Sequence, residues 1–394
     1  TYLSGKRKQK LYFKDSLLVL PNSLDKLAKT FDVKNKKLFF PHKFLDNENI
    51  SLDYKGECPP FNYFENITKE EYEKYLTEYE GKKWVLFEEI KKYCENDTIT
   101  LYQVLVKFKE SIFTKFRVDF TKYHTIPSLA LGIYRSNFMK KEIIPSINSR
   151  LYKNIKQAYF GGICELYQPE MKNVYSYDVN SLYPFAMKSF PMPTGESLYV
   201  KGDLEAIKKY TNCKEEIPFG FFNVKVKAPN IDKPFLPLRI RTPSGLRTIY
   251  PTGTWSGLYF SEEILNAMKN GYEFEFSDGF IFKKSYIFTE YINVLYKIKQ
   301  NSEKNSTWYF ISKLLMNSLY GRFGLSPNVE EVVLVTAEEA DTLLQEKDCK
   351  DVILLPSGKI LVKYRVSEED GVSSYNISIG VAAAISAYSR IHMS

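Results

Sequence analysis

Residues 174–184 read VYSYDVNSLYP. An alternating run rich in β-branched and aromatic residues meets Asp178, and Pro184 follows six residues later. The alternation predicts a strand that ends at Asp178 and holds its carboxylate at a sheet edge. The backbone then turns through Asn180-Ser181-Leu182, so that amides near Ser181–Tyr183 can point the same way. Pro184 suits the first turn of a following helix, where its missing N–H has no intrahelical acceptor anyway. A carboxylate beside free amides can hold a Mg²⁺ while the amides receive phosphates that the ion bridges. Alone, a D-x-x-S stretch is more often an aspartate capping a turn.

Three further stretches bear on the choice. KLLMNSLYGRFG, residues 313–324, puts Lys313, Asn317 and Tyr320 or Gly321 on one helical face. A cation, an amide, a ring and a gap on one stripe suit a nucleotide: Lys313 meets phosphate as a point charge, Tyr320 offers a stacking face, and Gly321 permits close approach. YCENDTITLYQVL, residues 93–105, places Tyr93 and Asp97 one turn apart, where a phenol and a carboxylate can position a water at a metal. AYFGGICELY, residues 158–167, predicts a tight turn at two glycines running into a strand, with room for a nucleic-acid backbone. Each also has an ordinary structural explanation: a Gly-ended amphipathic helix, a solvated Tyr–Asp pair, a loop turn.

Around these stretches the chain is long enough, at 394 residues, for two or three domains. Its 44% hydrophobic content supports a packed core. The net charge of +8 permits a polyanionic partner without demanding one. Five dispersed cysteines with no CxxC argue against a disulfide framework and against a zinc site. No apolar run approaches the ~20 residues of a membrane span.

The periodicity predicts a short helix near Leu24, Leu27 and Ala28 capped by Asn22 or Ser23, and a long loop over 41–67. Helices are expected over 68–107, the second with a stripe at Leu86, Ile90, Tyr93, Leu101 and Val104. Residues 218–255 read as strands, followed by a helix SEEILNAMKNG with a Ser cap and Gly271 beyond it. Helices around a KNS break fill 286–320, and short strands with an acidic helix fill 331–366. The final GVAAAISAYSRI is a small-residue helix able to pack closely under a sheet.

Together, VYSYDVNSLYP and KLLMNSLYG resemble motif A, D-x-x-S-L-Y-P, and motif B, K-x-x-x-N-S-x-Y-G, of the family B DNA polymerases. Their order and wide separation resemble the protein-primed branch, which includes viral and mitochondrial linear-plasmid polymerases. YFGG at 159–162 is similar to that branch's Y-x-G-G, Tyr93…Asp97 to the third exonuclease motif Y-x-x-x-D, and Ser23–Leu27 to its S/T-L-x-x-h motif. The resemblance covers nearly the whole chain. It implies an α/β (α+β) fold: an RNase-H-like 3′–5′ exonuclease remnant, then a family B palm and fingers with terminal-protein-region insertions.

The implied division assigns 1–110 to the C-terminal part of the exonuclease, 111–170 to a connector with Y-x-G-G, and 171–196 to the palm with motif A. It assigns 197–290 to the first terminal-protein-region insertion, 291–325 to fingers with motif B, 326–377 to a second insertion and palm, and 378–394 to the palm helix before motif C.

Residue roles follow from the same resemblance. Asp178, with the Val179 carbonyl, would hold a catalytic Mg²⁺ of a two-metal site. Ser181, Leu182 and Tyr183 would line the nucleotide site, with Tyr183 under the sugar. Lys313 would contact the triphosphate, and Asn317 and Tyr320 would lie close to the base pair. Tyr159, Gly161, Gly162, Ser318 and Gly321 would touch DNA. Asp97 would be an exonuclease metal ligand, with Tyr93 orienting the water, and Ser23 and Leu24 would hold the frayed primer end. A catalytic lysine is expected at Lys36, Lys37 or Lys43. The implied partners are template-primer DNA, deoxynucleotides and a terminal protein primer, without a membrane. The implied setting is a mitochondrial linear plasmid, with a viral or transposon origin as the alternative.

Two-metal phosphoryl transfer needs at least two carboxylates around ions ~3.5–4 Å apart. The family supplies the second from motif C, Y-x-D-T-D-S, which these 394 residues lack. Asp341-Thr342 and Glu368-Glu369-Asp370 are the nearest candidates, in an expected helix and a polar loop. The first two exonuclease motifs and the thumb are also missing, so the reading is a fragment of a polymerase, inactive by itself. The alternative is a catalytically inactive nucleic-acid- or terminal-protein-binding remnant.

Overall fold

The computed structural model describes residues 2–4, 7–9, 13–35, 37–46, 50–65, 67–139, 144, 149–166, 168–243, 245–325, 330–365 and 378–394. Lys36, Glu368-Glu369-Asp370 and parts of the basic lead at 5–10 lie outside the described residues. In chain order the elements are β1 (Tyr2–Ser4), β2 (Arg7–Gln9), α1 (Leu24–Thr30), β3 (Lys55–Gly56), α2 (Lys69–Thr77), β4 (Trp84–Val85), α3 (Leu86–Phe116), α4 (Ile126–Asn137) and α5 (Ser149–Ile155). They continue with α6 (Leu182–Ser189), β5 (Met192–Lys201), α7 (Leu204–Thr211), β6 (Gly220–Ala228), β7 (Leu238–Thr242), β8 (Gly245–Ile249), β9 (Gly253–Phe260), α8 (Ser261–Lys269) and β10 (Glu273–Ser285). The last are α9 (Thr289–Gln300), α10 (Thr307–Phe323), β11 (Glu330–Val335), α11 (Ala337–Glu346), β12 (Asp348–Leu354), β13 (Ile360–Arg365) and α12 (Ile379–Met393). The chain divides into two compact units, Thr1–Ile133 with Lys297–Leu314, and Tyr134–Tyr296 with Leu315–Ser394.

The first unit is mainly helical, with two short two-stranded sheets, β1-β2 and β3-β4. Ser23 caps α1, its hydroxyl accepting from the Lys26 N–H at 3.4 Å, and Leu27 and Ala28 turn inward. The long α3 buries Thr100, Val104, Phe108, Ile112 and Phe116 at four-residue spacing, one face of a helix. It runs past the predicted end to Arg117, whose left-handed backbone (φ 55°) closes it. Phe31 at the end of α1 meets Phe108 and Phe310 edge-on. A second cluster gathers Phe40, Phe44, Trp84 and Leu86, with the Trp84 indole donating to the Tyr75 hydroxyl at 2.9 Å.

The second unit is built on an antiparallel sheet of order β5-β10-β6-β9. Gly220 lets β6 lie against β10: a Cβ there would overlap the Phe280 carbonyl oxygen. Helix α12 packs against α6, α8 and β5, and every residue from Ile379 to Arg390 is buried. Its run of alanine and serine permits that close approach on all sides. A second sheet, β11-β13-β12, carries α11, whose Thr336–Glu339 capping box starts the acidic helix.

Three expectations are corrected. Residues 174–178 belong to no strand and join no sheet, and all five are exposed. Alternation is a local signal; a strand also needs a neighbour to take its N–H and C=O groups, and none of the described residues does so. Residues 161–166 form no strand, and the two glycines have no positive φ. Ser261 does not cap α8: it is buried within the first turn, and its hydroxyl accepts from the Gly220 N–H at 3.1 Å.

Candidate functional site

Asp178 stands on the exposed segment just ahead of α6. Its carboxylate makes no hydrogen bond or ion pair with the described residues, and Val179 beside it is half-buried. Ser181, immediately before α6, adopts the left-handed conformation (φ 57°, ψ 52°), and its side chain caps nothing. A non-glycine residue held there costs on the order of 1–2 kcal/mol. The turn brings Leu182 and Tyr183 into the first turn of α6 with Pro184, as the proline predicted.

Tyr183 lies flat against Tyr320 of α10, with ring centroids 4.4 Å apart and planes 10° apart. The Tyr320 hydroxyl is bonded to the Tyr159 hydroxyl at 2.9 Å and to Ser386 Oγ at 2.9 Å. Burial is the main cause that pushes the Tyr320 phenol up to about 12, and burial likewise raises Tyr183. Three stretches far apart in sequence thus meet through tyrosines. The stacking face expected of Tyr320 is taken on one side by Tyr183.

The YFGG segment is held from behind. Arg390 of α12 donates from Nη1 to the Phe160 and Gly161 carbonyls at 2.9 and 2.8 Å. Its Nε and Nη2 form a buried bidentate pair with Glu263 of α8 at 2.7 and 3.0 Å. Arg239 donates to the Tyr159 carbonyl at 2.7 Å, and the Lys156 ammonium sits 4.6 Å from the Tyr159 ring centroid. Lys156 is pulled down by burial and then by Arg239 nearby. Gly161 and Gly162 are exposed, and a Cβ on either would meet nothing within 4 Å. No neighbour within the described chain accounts for glycine at these two positions.

On α10, Lys313, Asn317 and Gly321 form one exposed stripe at four-residue spacing, with Ser318 and Tyr320 half-buried beside it. In the helical unit, the Tyr93 hydroxyl hydrogen-bonds to Asp97. Burial first, then the Asp97 charge, pushes that phenol up to about 12. The other Asp97 oxygen, Oδ1, is buried without a partner, a state that a bound cation would relieve. Ser23 uses its hydroxyl as the helix cap, Leu24 is half-buried, Lys37 is exposed, and Lys43 pairs with Glu65 at 3.7 Å. Among the described residues, no group of three His, Cys, Asp or Glu side chains could hold a metal ion, and Asp341 lies on the exposed face of α11.

Ser386, Arg390, Glu263 and Arg239 were not singled out from the sequence. The signal for one of them was present: Arg390 is the lone Lys or Arg in an apolar, small-residue helix, and a buried cation needs a partner.

The mixed helix-and-sheet architecture is shared with Phi29 DNA polymerase, solved in complex with primer-template DNA and incoming nucleotides. That structure aligns over 96% of this chain and 56% of its own, with a TM-score of 0.57 and 21% identity. The family described as DNA polymerase type B, organellar and viral, matches residues 2–394, and the chain belongs to it. A probable DNA polymerase of Neurospora intermedia is 55% identical over 100% of this chain and 41% of its own length. One from Ascobolus immersus is 42% identical over 97% of this chain and 32% of its own. The DNA polymerase of Bacillus phage Nf is 26% identical over 91% of this chain and 57% of its own. The chain therefore spans between about a third and three fifths of these relatives. No helix among the described residues is long and apolar enough to cross a membrane.

Proposed function

We propose that the protein carrying this chain is a DNA-directed DNA polymerase that copies a linear DNA element from a protein primer, with a 3′–5′ exonuclease. The observation that carries this reading is the Tyr183–Tyr320 stack, which joins D-x-x-S-L-Y-P to K-x-x-x-N-S-x-Y-G beside the Tyr159 of YFGG. Asp178 and the Val179 carbonyl would hold a Mg²⁺, and the acid chemistry of the donors fits one ligand of such an ion. When bound, divalent metal ions stabilise the charge that develops on the transferring phosphoryl group. Ser181, Leu182 and Lys313 would bind the triphosphate. Tyr183, fixed flat by its partner, would exclude a 2′-hydroxyl from the sugar site. Asn317 and Tyr320 would border the base pair, and Tyr159, Gly161, Gly162, Ser318 and Gly321 would follow the DNA. In the helical unit, Asp97 would hold a second metal site with Tyr93 orienting the attacking water, and Ser23 and Leu24 would hold a frayed primer end.

The division into exonuclease, palm, fingers and two insertions belongs to the same reading, with 197–290 gripping a terminal protein. Fungal relatives and a family described as organellar and viral support a mitochondrial linear plasmid as the source. The test is Asp178→Ala in the full-length polymerase. Primer extension with Mg²⁺ falls to background while DNA binding persists; extension that survives overturns the assignment. Asp97→Ala is expected to remove 3′–5′ hydrolysis and leave extension intact. The 394 residues alone are expected to bind DNA without extending it, because they lack motif C.

A further inference from the structure

All four carbonyl oxygens of YFGG are engaged by side chains from distant parts of the chain. Arg390 takes the middle two, as described above. The outer two go to one element: Arg239 on β7 donates to Tyr159 at 2.7 Å, and Tyr250, just past β8, donates to Gly162 at 3.4 Å. The Arg239 guanidinium also lies 5.0 Å from the centroid of the buried Phe160 ring. That ring stacks on Tyr259 at 5.9 Å and 15°. Tyr259 in turn donates to the Pro237 carbonyl at 2.6 Å and accepts from the Trp255 indole at 2.8 Å, which fixes the base of the β7–β8 hairpin. The outer part of the hairpin, Gly245 to Thr248, is exposed.

A half-buried arginine beside a DNA-facing segment could either touch a phosphate or hold the segment. Here Nη2 is given to the Tyr159 carbonyl and the guanidinium lies against the Phe160 ring, which favours holding the segment. Tyr159 carries the consequence onward, because its hydroxyl is bonded to Tyr320, which stacks on Tyr183. We propose that Arg239 is a positioning residue that fixes Tyr159 and the YFGG backbone, so that the placement of the exposed β7–β8 hairpin is transmitted to the tyrosine pair. The role in DNA binding rests on the function proposed above; the mechanical link does not.

The experiment uses the full-length polymerase with Arg239→Lys, Arg239→Gln and, on the opposite side of the hairpin base, Tyr250→Phe. Hydrogen–deuterium exchange over 157–163 without DNA is expected to speed up in all three, and thermal melting checks that each is folded. Anisotropy with a labelled primer-template across a salt series is expected to show about tenfold weaker binding for both Arg239 variants. The slope against salt is expected to stay as in the parent chain, because no phosphate contact is lost. Lysine does not rescue, since it has neither the planar fork nor the stacking face. Unchanged exchange over 157–163 overturns the proposal. So does native binding by Arg239→Lys together with a slope reduced by about one in Arg239→Gln, which marks a direct phosphate contact. If the parent chain fails to bind DNA, the functional reading fails, and the exchange measurement still decides the positioning role.

Discussion

Tyr320 is the residue at which the site is assembled. Its ring supports Tyr183, and its hydroxyl serves Tyr159 and Ser386. Tyr320→Phe keeps the stack and removes the partner of the Tyr159 hydroxyl, while Ser386 keeps its bond to the Ala382 carbonyl, so it is expected to cost about 1 kcal/mol in urea unfolding. Glu263→Gln should cost more. Arg390 is 3% exposed and cannot shed its charge, so removing its carboxylate leaves a buried, half-paired cation at a cost of about 3–5 kcal/mol. Asp178 is the opposite case: it is exposed and unbonded among the described residues, so Asp178→Ala is expected to leave stability within about 0.5 kcal/mol. That contrast separates a residue kept for its neighbours from one free for a ligand. Asp178, Tyr183, Lys313 and Asn317 were legible as motif letters. Glu263 and Ser386 were not, because nothing local to either residue announces its partner.

At the scale of elements, periodicity served well, and capping did at Ser23 but not at Ser261. The Ser23 cap, the α3 stripe and the break between α9 and α10 all follow from local rules. The run at 174–178 shows where such rules stop: Tyr175 and Tyr177 are 79% and 89% exposed despite their strand-like alternation. Glycines divide in the same way. Gly220→Ala is expected to cost several kcal/mol, since its Cβ would overlap the carbonyl oxygen of a paired strand. Gly161→Ala and Gly162→Ala meet open space and are expected to leave the melting temperature unchanged while weakening primer-template binding. A comparison of melting curves and anisotropy across the three variants checks this.

For the whole molecule, aromatic residues supply much of the packing, and 30 of them are tyrosines. Tyr93 and Tyr320 are pushed up to about 12, chiefly by burial, and Tyr134, Tyr259, Tyr291 and Tyr388 are raised as well. An unfolded phenol titrates at ~10. The folded state keeps these protons longer, so its advantage is full below pH ~10 and is lost as pH rises through about 12. Alkaline unfolding followed by tyrosinate absorbance and circular dichroism should show a steep loss in that window, made shallower by Tyr320→Phe.

The sequence by itself determined the family, the motif residues and most helices, because those depend on residue type and on spacing within one element. Only the tertiary structure decided that Tyr159, Tyr183, Tyr320 and Ser386 form one cluster, and that Arg390 and Glu263, 127 residues apart, hold the YFGG backbone. Those partnerships depend on how sheets and helices pack, and packing distance leaves no period in the chain.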